Sequence, residues 1–199
     1  MRLIPRALLD VFRQIHEDWD VNGRDWTQPG FRALAVHRFG VWLRLARSGN
    51  PVWLLLSWFH RTMFRYIRNH YAIDLHPQAT VGRRILLAHP AGIVIHGSAV
   101  IGDDCVIRQN ATLGALNGEG GRGLEAPQLG RKVHIGCGAA VLGRVVIGDD
   151  ARIGPNTVVM IDVPAGATVF ASTPRMMLNM PRTADEDKER DSSIGVGAS

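Results

Sequence analysis

Aliphatic side chains recur at almost every sixth position between residues 75 and 159. Leu75, Val81 and Leu87 are in phase; after a two-residue slip come Ile95, Ile101, Ile107 and Leu113, and after a longer break Leu129, Ile135, Val141, Ile147, Ile153 and Val159. A period of six fits neither the turn of an α-helix nor the alternation of one strand face. It fits short strands joined by tight corners, three to a coil. The sequence therefore predicts a parallel β-helix of triangular section from residue 73 to about 170, with a little over four coils.

Residues 1–72 differ in texture from the repeat, because they hold all five tryptophans, both tyrosines and five of the six phenylalanines. Two segments show helical spacing, and a third helix is expected from Pro51 to about His70. The first segment places Leu8, Leu9, Phe12 and Ile15 on one face. We therefore expect an α-helical N-terminal region over residues 1–72 and a β-helix domain over residues 73–175.

The segment between Phe31 and His70 contains seven arginines and no acidic residue, interleaved with aromatic side chains. Such a pattern is typical of ordinary helix packing with a solvated basic face, and it is also compatible with an anionic membrane surface. No apolar run reaches the roughly 20 residues needed to cross a bilayer. A cytoplasmic protein is expected, with the N-terminal helices as candidates for peripheral membrane contact. A net charge of +5 is weak support for nucleic-acid binding, which we do not expect.

Two further features interrupt or follow the repeat. Residues 114–128 are rich in glycine and are expected to project as a loop, the usual place for a binding element on a repeat protein. Residues 176–199 form a C-terminal tail whose charged, Gly/Ser-rich end is expected to be disordered. Cys105 and Cys137 show no metal-binding or disulfide spacing and are expected to be small buried residues.

Several segments, in order, resemble the hexapeptide-repeat acyltransferases, and among them the serine acetyltransferases. They are PGFRALAVHR, IDLHPQATVG, HPAGIVIHGSAVIGDD, the TLG of residues 112–114, the loop, IGCGAAVLG and IGPNTVVMIDVP. The resemblance implies a left-handed β-helix, a homotrimer or a dimer of trimers, and acetyl-CoA as co-substrate in a groove between neighbouring solenoids. No metal is expected.

The resemblance also assigns catalytic residues. His89 falls on the histidine of the family segment D-H-x-x-G-(I/V)-V, and Asp74 falls on the carboxylate of (D/E)-I-H-P. A hydroxyl acceptor must lose its proton while it attacks a thioester, and a neutral imidazole can take that proton. A carboxylate on the other ring nitrogen fixes the tautomer. His89 is therefore the predicted base and Asp74 its predicted partner.

Cofactor contacts are implied for three corner segments. They are Gly136, Cys137, Gly138 and Ala139; Gly154, Pro155 and Asn156; and Ala171, Ser172 and Arg175. Small corner residues let the pantetheine arm approach the backbone.

The acceptor site departs from the serine enzymes. The family's acid before the catalytic histidine is Ala88 here, and its R-H-P is Glu125-Ala126-Pro127, with Arg122 nearby as a replacement cation. These changes remove contacts to an amino acid's charged groups. We therefore expect a sugar hydroxyl of a polysaccharide or lipid-linked oligosaccharide as acceptor, with serine O-acetylation as the alternative. A zinc hydratase and a non-catalytic glycan-binding module remain weaker alternatives.

Overall fold

A computed structural model describes residues 6–45, 50–116 and 126–172. Three helices come first: α1 (Arg6–Val21), α2 (Pro29–Leu45) and α3 (Pro51–Tyr71). Within the described ranges the strands are β1 (Ile73–Leu75), β2 (Thr80–Val81), β3 (Leu86–Ala88), β4 (Ile93–Ile95), β5 (Val100–Ile101), β6 (Val106–Arg108), β7 (Thr112–Gly114), β8 (Gln128–Leu129), β9 (His134–Ile135), β10 (Ala140–Leu142), β11 (Val146–Ile147), β12 (Arg152–Ile153), β13 (Val158–Val159) and β14 (Thr168–Val169).

The strands of each side stack on one another in parallel from coil to coil, which gives a triangular solenoid with three sides. Side A has the order β1-β4-β7-β10-β13, side B β2-β5-β8-β11 and side C β3-β6-β9-β12-β14. Val163 adds a fifth rung to side B by bridging to Ile147. The predicted mainly β solenoid with N-terminal helices is confirmed.

The described residues form five coils, where the sequence predicts a little over four. The two uncounted sides belong to the last coil, where Val163 pairs with Ile147 and Val169 with Ile153. The coil before it contains three full sixes, as the pairing of Ile135 with Ile153 shows, and the last coil is two residues shorter. A shortened coil breaks the six-residue phase, so its inward positions cannot be found by extending the repeat.

The predicted inward positions form one continuous hydrophobic core, apart from Val81, which is only half-buried. Strand β2 is the first rung of side B, so no coil lies beneath it to complete its burial. Small residues two positions earlier, such as Ala99, Cys105 and Ala139, are also buried and lie at the corners, directly before a strand. Cys137, expected to be buried, is half-buried at a corner.

The face of α1 that packs inward is not the one that the sequence predicts. Leu9 and Phe12 are 54% and 61% exposed, whereas Val11, Asp18 and Asn22 are buried. The apolar spacing therefore pointed to the outer face. Polar residues face inward because the helix contacts the hydrogen-bonding edge of a sheet, where carboxylate and amide groups satisfy free backbone groups.

Helix α2 closes the edge of side B in the same way. The Arg38 guanidinium donates to the carbonyls of Val81, at 2.6 Å, and Gly82, and one His37 ring nitrogen lies 3.1 Å from the carbonyl of Ala79. In the described ranges, none of the helices is both long and apolar enough to span a membrane.

Parts of the predicted domain plan lie outside the described residues. The sequence predicts a projecting loop over residues 114–128. Gly114 belongs to β7 and Gln128 to β8 in the structure, and residues 117–125 are not described. The predicted tail, residues 176–199, also lies outside. In the chain as described, α3 ends at Tyr71 and β1 begins at Ile73.

Candidate active site

His89 lies on a corner that is two residues longer than its counterpart in the next coil. Ala88 pairs with Arg108 and Val94 pairs with Thr112, so the first pairing spans two more residues of chain than the second. The two extra residues therefore fall within residues 89–92, where the sequence shows its slip. His89 is exposed and has φ 50°, a left-handed conformation that is uncommon outside glycine. The widened corner carries the imidazole out of the core.

Helix α1 holds the strand that leads into this corner. The Asn22 amide donates to the Ile85 carbonyl at 2.8 Å and accepts from the Leu87 amide at 3.4 Å, and the Asp18 carboxylate accepts from the Ile85 amide at 3.1 Å. These bonds occupy the free edge of β3, the first rung of side C. Neither residue is predicted from the sequence, because carboxylate and amide side chains on a surface helix or directly after it ordinarily face solvent.

Helix α2 approaches the corner itself through Gly30. A Cβ at that position would lie 2.7 Å from the Leu87 carbonyl oxygen and 3.2 Å from Cγ of Pro90. Only glycine allows this contact between the start of α2 and the residues on both sides of His89. Contacts with α1 and α2 therefore fix the corner and the strand that leads into it.

An ion pair joins the two helices at this point. Arg38 donates to Asp18 at 2.9 Å, and both side chains are almost completely buried. Burial raises the pKa of the Asp18 carboxyl, and the charge of Arg38 and its hydrogen bond oppose that shift. Removing either partner would leave a buried charge without compensation. The pair therefore couples α1 and α2, which together form a helical cap on the first coil, to the strand before His89.

Asp74 points outward from β1 between two buried residues and pairs in register with Val94. It is half-buried and lies in the wall of a groove of about 1130 Å³ between α2, α3 and the first coil, together with Arg44, Arg61, Arg68 and His76. His89 does not line this groove. In the described part of the chain no hydrogen bond joins Asp74 to His89, so their pairing stays a prediction.

The predicted cofactor residues stand in one column with the His89 corner. Gly136–Ala139 forms the corner between sides C and A in the third coil, Gly154–Asn156 forms it in the fourth, and Ala171 and Ser172 follow β14 in the fifth. His89 occupies the same corner of the first coil. At about 4.8 Å a coil, Gly136 lies roughly 10 Å along the column from His89. Arg175 lies outside the described residues.

Left-handed residues line this column and explain its small side chains. Gly92, Asn110, Gly138 and Asn156 have φ between 53° and 68°. Backbone hydrogen bonds of 2.7–2.9 Å connect neighbouring corners, from Asn110 to Ala91, Gly138 to Gln109 and Asn156 to Cys137. The result is a ridge of closely stacked backbone with little side-chain cover.

The predicted acceptor residues are only partly described. Ala88 ends β3, half-buried, beside His89; Ala126 is 3% exposed and belongs to the hydrophobic core. Arg122 and Glu125 lie outside the described residues.

The sequence analysis missed Arg108, the cross-strand neighbour of Ala88. Arg108 is exposed, and within the described ranges it makes no ion pair or hydrogen bond. A free cation therefore lies next to the predicted base.

Three other histidines, His76, His96 and His134, lie in the solenoid. Nδ1 of His76 accepts from the Gln78 amide at 3.2 Å, and Nδ1 of His96 accepts from the Ser98 amide at 3.1 Å, so both close corners between sides A and B. His134 is half-buried on side C; burial, with the charges of Arg152 and Arg108, lowers its pKa. Among the described residues, no cluster of three or more potential metal ligands occurs.

Comparison with known proteins identifies the family. The model for bacterial transferase hexapeptide (six repeats) matches residues 126–160. A serine acetyltransferase of Helicobacter pylori is 37% identical over 144 residues, which cover 72% of this chain and 78% of the relative. A serine acetyltransferase of Synechococcus elongatus is 37% identical over 149 residues, covering 75% of this chain and 57% of the relative.

Solved structures agree with the sequence relatives. Soybean serine acetyltransferase complexed with serine superposes with a TM-score of 0.66 at 31% identity over 84% of this chain and 69% of the other. The native serine acetyltransferase 1 of Entamoeba histolytica gives a TM-score of 0.68 at 29% identity, covering 83% and 65%. These matches confirm the left-handed parallel β-helix. The chain spans a little over half the length of the first of its curated relatives, and it belongs to the serine acetyltransferase family.

Proposed function

We propose that this protein is an acetyl-CoA-dependent O-acetyltransferase with His89 as its general base. The observation that carries the proposal is the widened corner, which displays an exposed imidazole at the foot of a column of backbone-lined corners. A core histidine would need no such corner. Family membership supplies the reaction class, since the relatives are acetyltransferases.

The reaction uses His89 in its neutral form. One ring nitrogen takes the proton of the acceptor hydroxyl as that oxygen attacks the thioester carbonyl carbon of acetyl-CoA. The new C–O bond forms, the C–S bond breaks, and the CoA sulfur leaves with the electron pair and is protonated. Asp74 is proposed to orient the ring from its other nitrogen and to stabilise the imidazolium, which requires the two side chains to approach each other when substrates bind.

The column above His89 is the proposed cofactor site. Its corners at Gly136–Ala139 and Gly154–Asn156 expose backbone against which an extended pantetheine arm can lie, with the thioester directed down the column towards His89. Ala171, Ser172 and Arg175 are proposed to contact the nucleotide end. Acetyl-CoA is a co-substrate here, and the proposed chemistry requires no metal.

Serine is the acceptor that the relatives favour. Those named here are serine acetyltransferases, which supports the alternative over the sugar acceptor that the sequence analysis ranks first. Arg108 gives this acceptor a physical basis, because its guanidinium beside Ala88 can bind the serine carboxylate that the family's arginine would otherwise hold.

A neutral sugar hydroxyl remains the second candidate. Ala88 stands where the family carries an acid, and an uncharged side chain beside the base suits an acceptor without an ammonium group. Glu125 in place of the family's arginine points the same way.

A comparison of acceptors tests the two candidates. CoA-thiol release would be measured with purified protein and L-serine, L-serinamide or a neutral hexose, in wild type, Arg108→Gln and the control Arg152→Gln, an exposed arginine farther along side C. We expect serine to be preferred. Arg108→Gln should lower kcat/KM for serine by about 10- to 100-fold and leave serinamide and the Arg152→Gln control unchanged.

Other outcomes have distinct meanings. Turnover of the hexose with negligible turnover of serine would establish the sugar acceptor. An equal loss with serine and serinamide in Arg108→Gln would exclude a carboxylate contact at Arg108.

The proposed assembly is a trimer or a dimer of trimers in the cytoplasm. Exposed apolar residues on the sides of the solenoid support it: Val94 and Val158 on side A and Val146 on side B. Such residues are suited to contacts between parallel solenoids, which would also complete the cofactor groove.

A further inference from the structure

We propose that the exposed face of α3 binds the surface of an anionic lipid bilayer. This outer face comprises Val52, Leu54, Leu55, Trp58, Phe59, Arg61, Arg65 and Arg68. One edge of it, at Leu54, Arg61 and Arg68, borders the groove beside Asp74. The inference is independent of the acceptor and of the catalytic assignment.

The apolar part of the outer face is unusually exposed for a packed helix. Its five hydrophobic side chains are 50–74% exposed and are concentrated between residues 52 and 59, in the first half of α3. The opposite side of the helix packs on the protein, where Ile67 is 2% exposed and joins the core. A patch of this size on a surface helix marks an interaction site rather than scattered surface apolarity.

The charges of the outer face identify the occupant. Arg61, Arg65 and Arg68 follow the apolar patch in the second half of α3, all exposed, and no acidic residue occurs between residues 31 and 73. In the described part of the chain none of the three forms an ion pair, although the Arg68 guanidinium lies over the Phe64 ring, 5.8 Å from its centroid. Tryptophan, leucine and phenylalanine beside arginine are the side chains of helices that lie in a bilayer interface.

A second copy of the chain fits this face poorly. In a parallel isologous contact the arginines of the two copies would face each other, and in an antiparallel one they would face the partner's apolar patch. The segment from 31 to 73 offers no carboxylate to compensate them in either arrangement. Anionic headgroups supply that charge, and the adjacent acyl region accepts the apolar patch. A bilayer surface therefore provides a matching contact for both the apolar half and the arginine half of the outer face.

Vesicle co-sedimentation of the full chain tests the proposal. The probes are phosphatidylcholine vesicles with and without roughly one quarter phosphatidylglycerol, at about 0.1 M salt. We expect binding to the anionic vesicles, weakening at high salt. The variant R61Q/R65Q/R68Q should bind on the order of 100-fold more weakly, since each arginine near an anionic surface contributes about fivefold.

A matched variant separates the outer face from overall charge. R13Q/R24Q/R131Q removes the same number of charges from arginines that are 60–71% exposed elsewhere, and it should bind as wild type does. L55E/W58E should abolish vesicle binding while leaving the sedimentation mass unchanged. Circular dichroism would verify that each variant is folded.

Three results would overturn the proposal. They are absence of binding to anionic vesicles by the folded wild type, equal weakening in the two arginine triples, and a smaller sedimentation mass in L55E/W58E. The last result would identify a second copy of the chain as the occupant.

Discussion

Ala88 and Arg108 determine the chemical surroundings of the proposed base, His89. The family resemblance predicts His89 as the base, because the surrounding D-H-x-x-G pattern survives in part. Arg108 could not be found that way. Three regular sixes would place Val106 beside Ala88, whereas the two-residue slip after Leu87, which is visible in the repeat, brings Arg108 into register. A cation thus replaces the family's acid as the charged group next to the base.

His37 makes the stability of the fold depend on pH. Burial, with the nearby charge of Arg38, lowers the pKa of His37 to about 3. Between pH 6.5 and 3 the unfolded chain therefore takes up a proton that the folded chain does not, and stability falls as the pH falls through this window. We expect His37 to account for about 3 kcal/mol of lost unfolding free energy between pH 7 and pH 4.

Urea denaturation of wild type and His37→Gln across this pH range measures the effect. Glutamine can still donate to the Ala79 carbonyl but has no proton to gain, so the variant should show a correspondingly smaller loss in acid. Identical pH profiles would show that His37 does not titrate as its burial implies.

The column of corners between sides C and A connects the proposed base to the proposed cofactor site. Gly138 lies in this column, whereas Gly166 lies on a corner between sides B and C, between Val163 and β14. Gly138 and Gly166 are both left-handed, with φ of 68° and 70°. A Cβ on Gly138 would lie 2.1 Å from Oδ1 of Asn156, whereas a Cβ on Gly166 would meet nothing within 4 Å. Comparing the two glycines therefore separates the cost of a left-handed backbone from the cost of crowding by a neighbouring side chain.

Alanine at each of these glycines should therefore cost different amounts of stability. Gly166→Ala should lose about 1 kcal/mol, the cost of a left-handed alanine. Gly138→Ala should lose more, about 2–3 kcal/mol, because Asn156 must also move. Urea unfolding measures both, and equal losses would contradict the close stacking of the cofactor corners.

The sequence predicted the elements of the solenoid far better than those of its helical cap. Inward side chains of a stacked coil must be aliphatic at a fixed spacing, so the period reveals them directly. The cap follows no such rule: Asp18, Asn22 and Arg38 bind free backbone groups of the first coil, and this need is visible only once the sheet edges are located. For the same reason the apolar spacing of α1 indicated the wrong face.

In the proposed assembly, the sides of the solenoid contact those of neighbouring subunits. Val94 and Val158 are 44% and 62% exposed on side A, and side B exposes Val146. We expect light scattering to give three times the chain mass of 21.8 kDa, or a multiple of that value. Val158→Glu should shift the mass towards the single chain. A wild-type mass of one chain at working concentration would exclude the assembly and, with it, a cofactor groove shared between subunits.

His89 is proposed to remove the acceptor proton, and a comparison of variants at this and two other positions tests that role. CoA-thiol release with the preferred acceptor would be measured alongside calorimetric acetyl-CoA binding in wild type, His89→Ala, Asp74→Asn and the control His96→Ala, a half-buried histidine on another corner. We expect His89→Ala to lower kcat by about 10²- to 10⁴-fold with acetyl-CoA affinity nearly unchanged, Asp74→Asn to lose less, and His96→Ala to turn over like wild type. Wild-type turnover in folded His89→Ala would contradict the assignment.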